Sequence, residues 1–272
     1  MKTVADALAA ARTRGVDRLD AHLLLAHVMK QSRSWLLAND DVGLHEEQQQ
    51  LMRSFIDRRA NGEPVAYLVG EKEFYGLTLR VSPAVLVPRP DTETLVDWAL
   101  ELARSSSAPT SVLDMGTGSG AIALALKQNL QSACVTALDA SAEALQVANE
   151  NAGQLQLSVQ FLLSDWWEGV AGRRFDLIVS NPPYIAGGDA HLSALQHEPQ
   201  MALTPGGDGL GALRHIAGGA SAHLKEDGWL LLEHGHDQAS TVAAMLVEQG
   251  FGFVTTRHDL AGNPRCTGGR WR

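Results

Sequence analysis

From Ser111 onward, short apolar runs alternate with helical segments, and this alternation restricts the fold more than any other feature of the sequence. Strands that alternate with helices are typical of a mostly parallel sheet with helices on both faces, so we predict an α/β fold here. Strands are expected at Ser111–Met115, Ala133–Leu138, Leu157–Leu163, Phe175–Ser180 and Trp229–Glu233, with a closing pair that starts at Phe251–Thr256 and ends near Trp271. Helices are expected at Ala121–Lys127, Ala142–Asn151, Leu213–Leu224 and Gln238–Gln249.

The N-terminal part of the chain has a different pattern. Apolar residues recur at helical spacing up to about residue 62, in short stretches that Gly15 interrupts. Helices this short are marginal alone and must pack on one another, so we predict a small helical bundle. Strand character around Gly76 then predicts a hairpin within Glu73–Val81. Several prolines follow, and a helix is expected to begin at Asp91 or Thr92.

These patterns divide the chain into three parts. We expect a helical unit for substrate recognition at residues 1–72, a hairpin and connecting segment at 73–110, and an α/β domain at 111–272. The run Ser105–Pro109 is predicted to be a short joint.

Composition excludes several classes of protein. Twenty-two Lys and Arg residues against 31 Asp and Glu residues give a net charge of −9, which argues against a protein that grips nucleic acid through a broad basic face. The two cysteines, Cys134 and Cys266, form no CxxC pair, so a disulfide framework or a cysteine-rich zinc site is not expected. No apolar run approaches the ~20 residues of a membrane span, and no signal peptide is recognisable. We therefore expect a cytoplasmic protein. We also expect a monomer, although no feature of the sequence determines the oligomeric state.

A glycine-rich turn follows the first strand of the α/β part. Gly116, Gly118 and Gly120 alternate with Thr117 and Ser119 and open a helix, so a ligand can approach bare backbone. The next strand ends at Asp139, nineteen residues after the last glycine, where a carboxylate can hold a ribose diol. The alternative is that Asp139 only caps the following helix, together with Ser141.

The loop alone does not decide which nucleoside is bound. Ala121 is a permitted variant of the third glycine in a dinucleotide fingerprint, so a nicotinamide cofactor stays open. Asp114 stands two residues before the first glycine. A carboxylate pointing into the loop disfavours a pyrophosphate but suits a ligand with an ammonium and a sulfonium group, as in S-adenosylmethionine.

The fourth strand leads into Asn181, Pro182, Pro183 and Tyr184. The prolines fix the backbone and remove two N–H donors, which leaves carbonyl groups that can only accept. A planar NH₂ group could donate one hydrogen to the Asn181 side chain and one to the Pro182 carbonyl, and could lie against the Tyr184 ring. This geometry would aim the nitrogen lone pair at an incoming methyl group. A proline-stiffened loop without a function is the alternative.

With these motifs the chain resembles the class I S-adenosylmethionine-dependent methyltransferases, and more specifically the HemK-type protein-(glutamine-N5) methyltransferases that modify peptide chain release factors. The resemblance covers nearly the whole length. It implies a Rossmann-like, mostly parallel seven-stranded sheet with a small N-terminal helical bundle. It also rests on the segments Gly62–Tyr67, Glu73–Gly76, Val87–Glu93 and Leu231–Gly235.

The resemblance also implies roles for individual residues. Gly116, Thr117, Gly118, Ser119 and Gly120 would wrap S-adenosylmethionine, which leaves as S-adenosylhomocysteine. Asp139 would bind its ribose, and Trp166, rather than Trp167, would lie beside the adenine. Asn181 would touch both cofactor and substrate. The target glutamine would be received by Asn181, Pro182, Pro183 and Tyr184, of which Asn181, Pro182 and Tyr184 are expected to be catalytic. The loop Pro88–Glu93 would border the site, without individual roles.

Three other functions remain as alternatives. A ribosomal-protein glutamine methyltransferase shares the Asn-Pro-Pro-Tyr motif. The N-terminal sequence of this chain fits the release-factor group better than the ribosomal-protein group. An adenine-N6 nucleic-acid methyltransferase should carry a basic recognition domain. A catalytically silent cofactor-binding protein should have lost Asn181 or a loop glycine. His234 and His236 lack further clustered ligands, so no metal is expected.

Overall fold

A computed structural model describes residues 1–104 and 110–272, so the predicted joint Ser105–Pro109 lies outside the described residues. The chain divides into two compact units, Met1–Glu71 and Lys72–Arg272. In the described part of the chain, no helix combines the length and the apolar character needed to cross a membrane.

The first unit is helical, as its sequence predicts. Its helices are α1 (Val4–Thr13), α2 (Arg18–Met29), α3 (Arg33–Ala38), α4 (Glu46–Ala60) and α5 (Val65–Val69). Side chains of Thr3, Asp17 and Ser32 accept hydrogen bonds from the first turns of α1, α2 and α3, so each of these helices begins at a polar cap. Its core is formed by apolar residues that include Leu24, Leu25, Leu36, Met52 and Phe55.

The predicted hairpin starts at the boundary between the two units and is formed by β1 (Glu71–Phe74) and β2 (Leu77–Arg80). Tyr75 and Gly76 connect the strands with φ angles of 51° and 76°, and two positive φ angles in succession suit the right-handed twist of a tight hairpin. A 3₁₀ turn at Pro90–Thr92 then leads into α6 (Glu93–Arg104), so the α-helix starts one residue later than Thr92.

Seven strands form the main sheet: β3 (Ser111–Met115), β4 (Cys134–Asp139), β5 (Gln160–Leu163), β6 (Phe175–Ser180), β7 (Leu224–Glu233), β8 (Gly252–His258) and β9 (Pro264–Arg270). Their order is β5-β4-β3-β6-β7-β9-β8. Neighbouring strands from β5 to β7 are parallel, and β9 is antiparallel to β7 and β8. The predicted α/β fold with a mostly parallel seven-stranded sheet is confirmed.

Helices α6, α7 (Ala121–Asn129), α8 (Ala142–Leu155), α10 (Gly211–His223) and α11 (Ala239–Glu248) cover both faces of this sheet, and a short α9 (Gln200–Leu203) precedes α10. Because both faces are covered, β3 is apolar along most of its length, with Leu113 and Met115 packed on one side and Val112 on the other. The sheet therefore lies between two hydrophobic clusters.

Two predicted strand starts were wrong by three residues or more. Strand β5 starts at Gln160 rather than Leu157, because α8 runs on to Leu155 and ends in the left-handed residue Gln156 (φ 56°). Strand β7 starts at Leu224 rather than Trp229, because the polar run after Leu224 stays in the strand through an irregularity at Asp227 (φ 64°). A local polar run looks like a turn in sequence, but here it forms a register shift between the pairs that Leu224 and Trp229 make with β6.

Strand order reverses at β3, which lies between β4 on one side and β6 on the other. In an open parallel sheet, ligands bind beyond the carboxyl ends of the strands at such a reversal. The glycine-rich turn follows β3 and Asn181 follows β6, so the fold brings both sequence motifs to this position.

Candidate active site

A cavity of about 240 Å³ opens beyond the carboxyl ends of β3, β4 and β6. Most of its wall is apolar, with backbone and a few polar side chains between. The predicted site residues on its wall are Gly116, Thr117, Gly118, Ser119, Asp139, Trp166, Asn181 and Pro183. Gly120, Pro182 and Tyr184 lie outside the wall of this cavity.

The glycine-rich loop is tied to the end of β4. Backbone N–H groups of Gly116 and Thr117 both donate to the Leu138 carbonyl at 2.9 Å. Gly116 and Gly118 have φ angles of 71° and 55°, and a Cβ at either position would meet open space. These glycines satisfy the backbone conformation and leave the main chain accessible from the cavity. Glycine at position 120 (φ 83°) is favoured for a different reason, because a Cβ there would lie 3.0 Å from Leu124 Cδ1.

Asp139 connects this loop with the start of α8. Its Oδ2 accepts from the Gly118 N–H at 2.9 Å, and its Oδ1 accepts from the Ser141 N–H at 2.9 Å. The cap of α8 is Ser141, whose hydroxyl accepts from Ala144 N. Burial raises the pKa of Asp139, and the N–H donors around it act in the opposite direction. The carboxylate is therefore held in place at the cavity wall.

Asp114 occupies a deeper position than the sequence argument assumed. It is fully buried and absent from the cavity wall. Its Oδ2 accepts hydrogen bonds from Thr117 Oγ1 at 2.6 Å and from Ala123 N at 3.2 Å. Asp114 therefore fixes the glycine-rich loop and the first turn of α7 from the protein interior. Desolvation raises the pKa of Asp114 to about 7. Its Oδ1 is buried and has no hydrogen-bond partner among the described residues.

The adjacent tryptophans point to different surroundings. Trp166 lines the cavity and adopts a positive φ of 47°, with the Ser164 hydroxyl donating to its carbonyl at 3.0 Å. Trp167 stacks on His223 of α10, with ring centroids 4.6 Å apart and planes 5° apart. Gly219 makes room for it, since a Cβ there would overlap the indole. Of the two tryptophans, only Trp166 therefore lies on the wall of the cavity.

Asn181 presents its side chain to the same cavity as Asp139. Its Nδ2 donates to Thr92 Oγ1 at 3.2 Å, while no donor among the described residues reaches its Oδ1. Ser180 Oγ, one residue earlier, donates to the Met115 carbonyl at 2.7 Å and so joins the ends of β6 and β3. The Asn181 amide is anchored on one side and leaves an acceptor oxygen on the other.

Tyr184 is directed into the protein rather than into the cavity. Its hydroxyl donates to Glu233 Oε1 at 3.2 Å, and its carbonyl accepts from Gln238 Nε2 at 2.9 Å. Burial raises the pKa of Tyr184 above its usual value, and the nearby Glu233 charge acts in the same direction. These contacts fix the Asn-Pro-Pro-Tyr loop on the side that faces the protein interior.

A second polar contact joins two segments of the cavity wall that sequence reasoning left without roles. The Glu198 side chain is 2% exposed, and it accepts from Arg89 Nη2 at 2.5 Å and from Val87 N at 3.1 Å. It thereby ties the Pro-Arg-Pro segment to the start of α9. Met201 of α9, 57% exposed, lines the same cavity.

Sequence reasoning therefore missed Thr92, Arg89, Glu198 and Glu233 as individual residues. Three of them lie in segments that carried the family resemblance, namely Val87–Glu93 and Leu231–Gly235. Nothing in either segment alone shows that Thr92 meets Asn181, because the two residues are 89 positions apart.

His234 is engaged in the protein interior. One ring nitrogen lies 2.8 Å from the Gly235 carbonyl and the other lies 2.7 Å from Thr267 Oγ1. Across residues 1–104 and 110–272, no group of three or more His, Cys, Asp and Glu residues is arranged to hold a metal ion.

Comparison with known proteins gives a consistent picture. The family model described as the PrmC N-terminal domain matches residues 1–70, and the model described as the methyltransferase small domain matches residues 98–209. A release factor glutamine methyltransferase of Xylella fastidiosa is 47% identical over 267 residues, which cover 97% of each chain. One from Bordetella pertussis is 48% identical over 258 residues, covering 94% of this chain and 95% of its own.

Among solved structures, a 16S rRNA methyltransferase of T. thermophilus in complex with AdoMet and guanosine superposes with a TM-score of 0.55. The two chains are 21% identical, and the match covers 74% of this chain and 50% of the other. At this identity the likeness concerns the fold.

Proposed function

Because this chain belongs to the family of release factor glutamine methyltransferases, we propose that it methylates the side-chain amide nitrogen (N5) of the glutamine in the Gly-Gly-Gln motif of peptide chain release factors. The methyl donor is S-adenosylmethionine. The observation that carries the proposal is that Asn181, with a free acceptor oxygen, and Asp139, with a half-buried carboxylate, line one cavity. One residue suits a planar amide and the other a ribose diol.

The residues of the cavity suit the methyl donor in three respects. The open backbone at Gly116 and Gly118 admits close approach of the ligand. The Asp139 carboxylate can accept from both hydroxyls of a ribose, and the Trp166 ring offers an apolar surface for a purine. Thr117, Ser119 and Gly120 hold the loop conformation around the ligand. When bound, S-adenosylmethionine supplies a methyl group on a positively charged sulfur.

The protein's contribution to the reaction is orientation. An amide nitrogen is a poor nucleophile, and a catalyst that holds it close to the methyl group in the correct direction removes much of the barrier. We infer that Asn181 Oδ1 accepts one amide hydrogen and that the carbonyl of Pro182, which stands between the wall residues Asn181 and Pro183, accepts the other. Pro183 fixes the backbone between the cavity and Tyr184. Tyr184 acts through its contacts with Glu233 and Gln238, which fix the loop.

The test is methylation of intact release factors. Purified protein, S-adenosylmethionine and a release factor are incubated, and the mass of the factor is followed. We expect the addition of one methyl group, and none when the Gly-Gly-Gln glutamine of the factor is replaced by alanine. Methylation of a ribosomal protein or of adenine in nucleic acid, with the release factor unchanged, would support an alternative function.

The partners and the compartment follow from the same proposal. We propose that the protein acts as a monomer in the cytoplasm, where its protein substrate works, without a metal and without binding nucleic acid directly. A net charge of −9 gives no long-range attraction for a polyanion. The helical unit at residues 1–71 is proposed to contact the body of the release factor. Light scattering would check the monomeric state, and filter binding with RNA would check that the protein does not bind nucleic acid.

A further inference from the structure

Arg89 brings a positive charge to the wall of the cavity. Of the described side chains on this wall, only that of Arg89 is cationic, whereas Asp139 and Asp165 are acidic. The ion-pair partner of Arg89 is Glu198, which stands behind the wall and is not part of it. A guanidinium on the wall of a ligand cavity is suited to an anionic group of the ligand.

The Arg89 side chain is held in place from outside the cavity. Its Nη2 donates to Glu198 Oε1 at 2.5 Å, and the Glu198 side chain is 2% exposed, whereas that of Arg89 is 35% exposed. Pro88 and Pro90 flank Arg89 and restrict its backbone, which is extended. A guanidinium has five N–H donors in a planar fork, and the described residues engage Nη2 alone. Donors therefore remain for a ligand, in an orientation that the ion pair fixes.

The strand order determines which part of the methyl donor reaches Arg89. The strands end side by side in the order β5-β4-β3-β6. Trp166 follows β5, Asp139 ends β4 and Asn181 follows β6. S-adenosylmethionine with its adenine at Trp166 and its ribose at Asp139 therefore extends its amino-acid end past β3 toward β6. Arg89 lies at that end of the cavity, because Thr92 of the same segment contacts Asn181, with 3.2 Å between Oγ1 and Nδ2.

We propose that Arg89 binds the carboxylate of S-adenosylmethionine and that Glu198 is a positioning residue, which orients the guanidinium. This inference rests on S-adenosylmethionine as the methyl donor of the proposed function. The carboxylate is the only anionic group of this donor, and the described residues of the wall offer it one cation. A charge-assisted pair of this kind fixes the methionine chain, so the sulfur that carries the methyl group is held in a defined position relative to Asn181.

The first experiment measures ligand binding without a methyl acceptor. Titration calorimetry compares S-adenosylhomocysteine with its decarboxylated form, which keeps the adenosine, the sulfur and the amino group. We expect the unmodified protein to prefer S-adenosylhomocysteine about tenfold or more, and Arg89→Met to lose this preference while its affinity for the decarboxylated form changes less than about twofold. Arg270→Met is the matched control and should keep the preference. Arg270 is also 35% exposed and is paired with Asp227, but it lies outside the cavity wall.

Further variants separate the ligand contact from the stability of the surroundings. Arg89→Met leaves the buried Glu198 carboxylate without its cation, which is destabilising. The double variant Arg89→Met with Glu198→Gln removes both charges and should lose the preference in the same way. Glu198→Ala keeps the arginine but removes its anchor, so we expect a smaller preference, and Glu198→Gln, which keeps an acceptor oxygen, should recover most of it. An undiminished preference in Glu198→Ala would reject the positioning role of Glu198.

The measured affinities distinguish a ligand contact from a structural role of Arg89. An equal loss of affinity for both ligands in the Arg89 variants would overturn the inference, since the arginine would then only support the wall. Unchanged affinities with a raised KM for the release factor would also overturn it, and would place Arg89 on the protein substrate. A lost preference together with an unmethylated release factor would support the inference and reject the proposed substrate. Failure of the unmodified protein to bind S-adenosylhomocysteine would reject the proposed methyl donor and the inference with it.

Discussion

At the scale of single residues, the cavity depends on polar groups with fixed partners. Asn181 has one anchored nitrogen and one free oxygen, and Asp139 has one oxygen on the loop and one on the start of α8. Each of these side chains is oriented before any ligand arrives. Preorganised groups of this kind contribute to catalysis because no further ordering is needed when the substrate binds.

Asn181→Ala should leave binding of S-adenosylmethionine nearly unchanged and lower turnover sharply. The variant removes the acceptor for the target amide, and a lost hydrogen bond of this kind costs about 1–3 kcal/mol, or about tenfold to a hundredfold in rate. Steady-state kinetics with a release factor measures this loss. Turnover equal to that of the unmodified protein would show that Asn181 does not hold the reacting group.

Asp139→Ala should weaken binding of S-adenosylmethionine, because the ribose loses charge-assisted hydrogen bonds worth about 1.5–3 kcal/mol each. Asp139→Asn is the matched variant, since it keeps one acceptor oxygen for the Gly118 N–H and should bind with intermediate affinity. Titration calorimetry gives both constants. If Asp139→Ala lowers the melting temperature but leaves affinity unchanged, Asp139 has only a structural role.

Asp114→Asn should make stability less dependent on pH. The carboxyl pKa is raised by burial from 3.8 to about 7, so the folded state disfavours the ionised form. The stability that this group contributes is present at low pH and is lost as pH rises toward 7. Relative to the unmodified protein, the variant should therefore gain stability between about pH 4 and about pH 7 and stay level above. Urea unfolding across this range measures the difference, and a constant offset would contradict the prediction.

At the scale of elements, the loop between β3 and α7 depends on glycines for two separate reasons. Gly116 and Gly118 face open space, so they serve the backbone conformation and access from the cavity. Gly120 faces Leu124 and Ala148, so it also lets α7 and α8 approach each other closely. The same short motif thus supports both ligand access and helix packing.

Gly120→Ala should destabilise the protein by about 1–3 kcal/mol, through a positive φ and a crowded Cβ. Gly172→Ala is the matched control, because its φ of 74° is similar but a Cβ there meets nothing within 4 Å. Chemical unfolding of both variants isolates the cost of crowding. Equal losses would indicate that the backbone angle alone requires glycine at position 120.

At the scale of the whole molecule, an acidic chain of two compact units is proposed to act on one side-chain amide of another protein. A single amide offers little for discrimination, so binding energy from remote surfaces must contribute. We therefore expect short peptides with only the Gly-Gly-Gln motif to be much poorer substrates than the folded release factor. Comparing kcat/KM for both, with duplex DNA as a negative control, tests this expectation. Peptides that react as well as the folded factor would contradict it.

The sequence by itself determined the class of fold, the position of the glycine-rich turn, and the placement of Asn181 at the end of a strand. These properties depend on local patterns, since apolar periodicity, glycine spacing and proline restrictions act within a few residues. The family resemblance also favoured Trp166 over Trp167 for the cavity, and the structure places Trp167 against α10.

Only the tertiary structure decided that Thr92, Glu233 and Glu198 support the cavity and that Asp114 lies beneath the loop rather than facing a ligand. Glu233 neighbours Asn181 because β6 and β7 pair in the sheet, and Glu198 meets Arg89 across 109 positions of sequence. The physical reason is that the effect of a buried carboxylate depends on its partners and on the water excluded around it. Both are set by strand order and by packing between distant segments, which local sequence patterns do not contain.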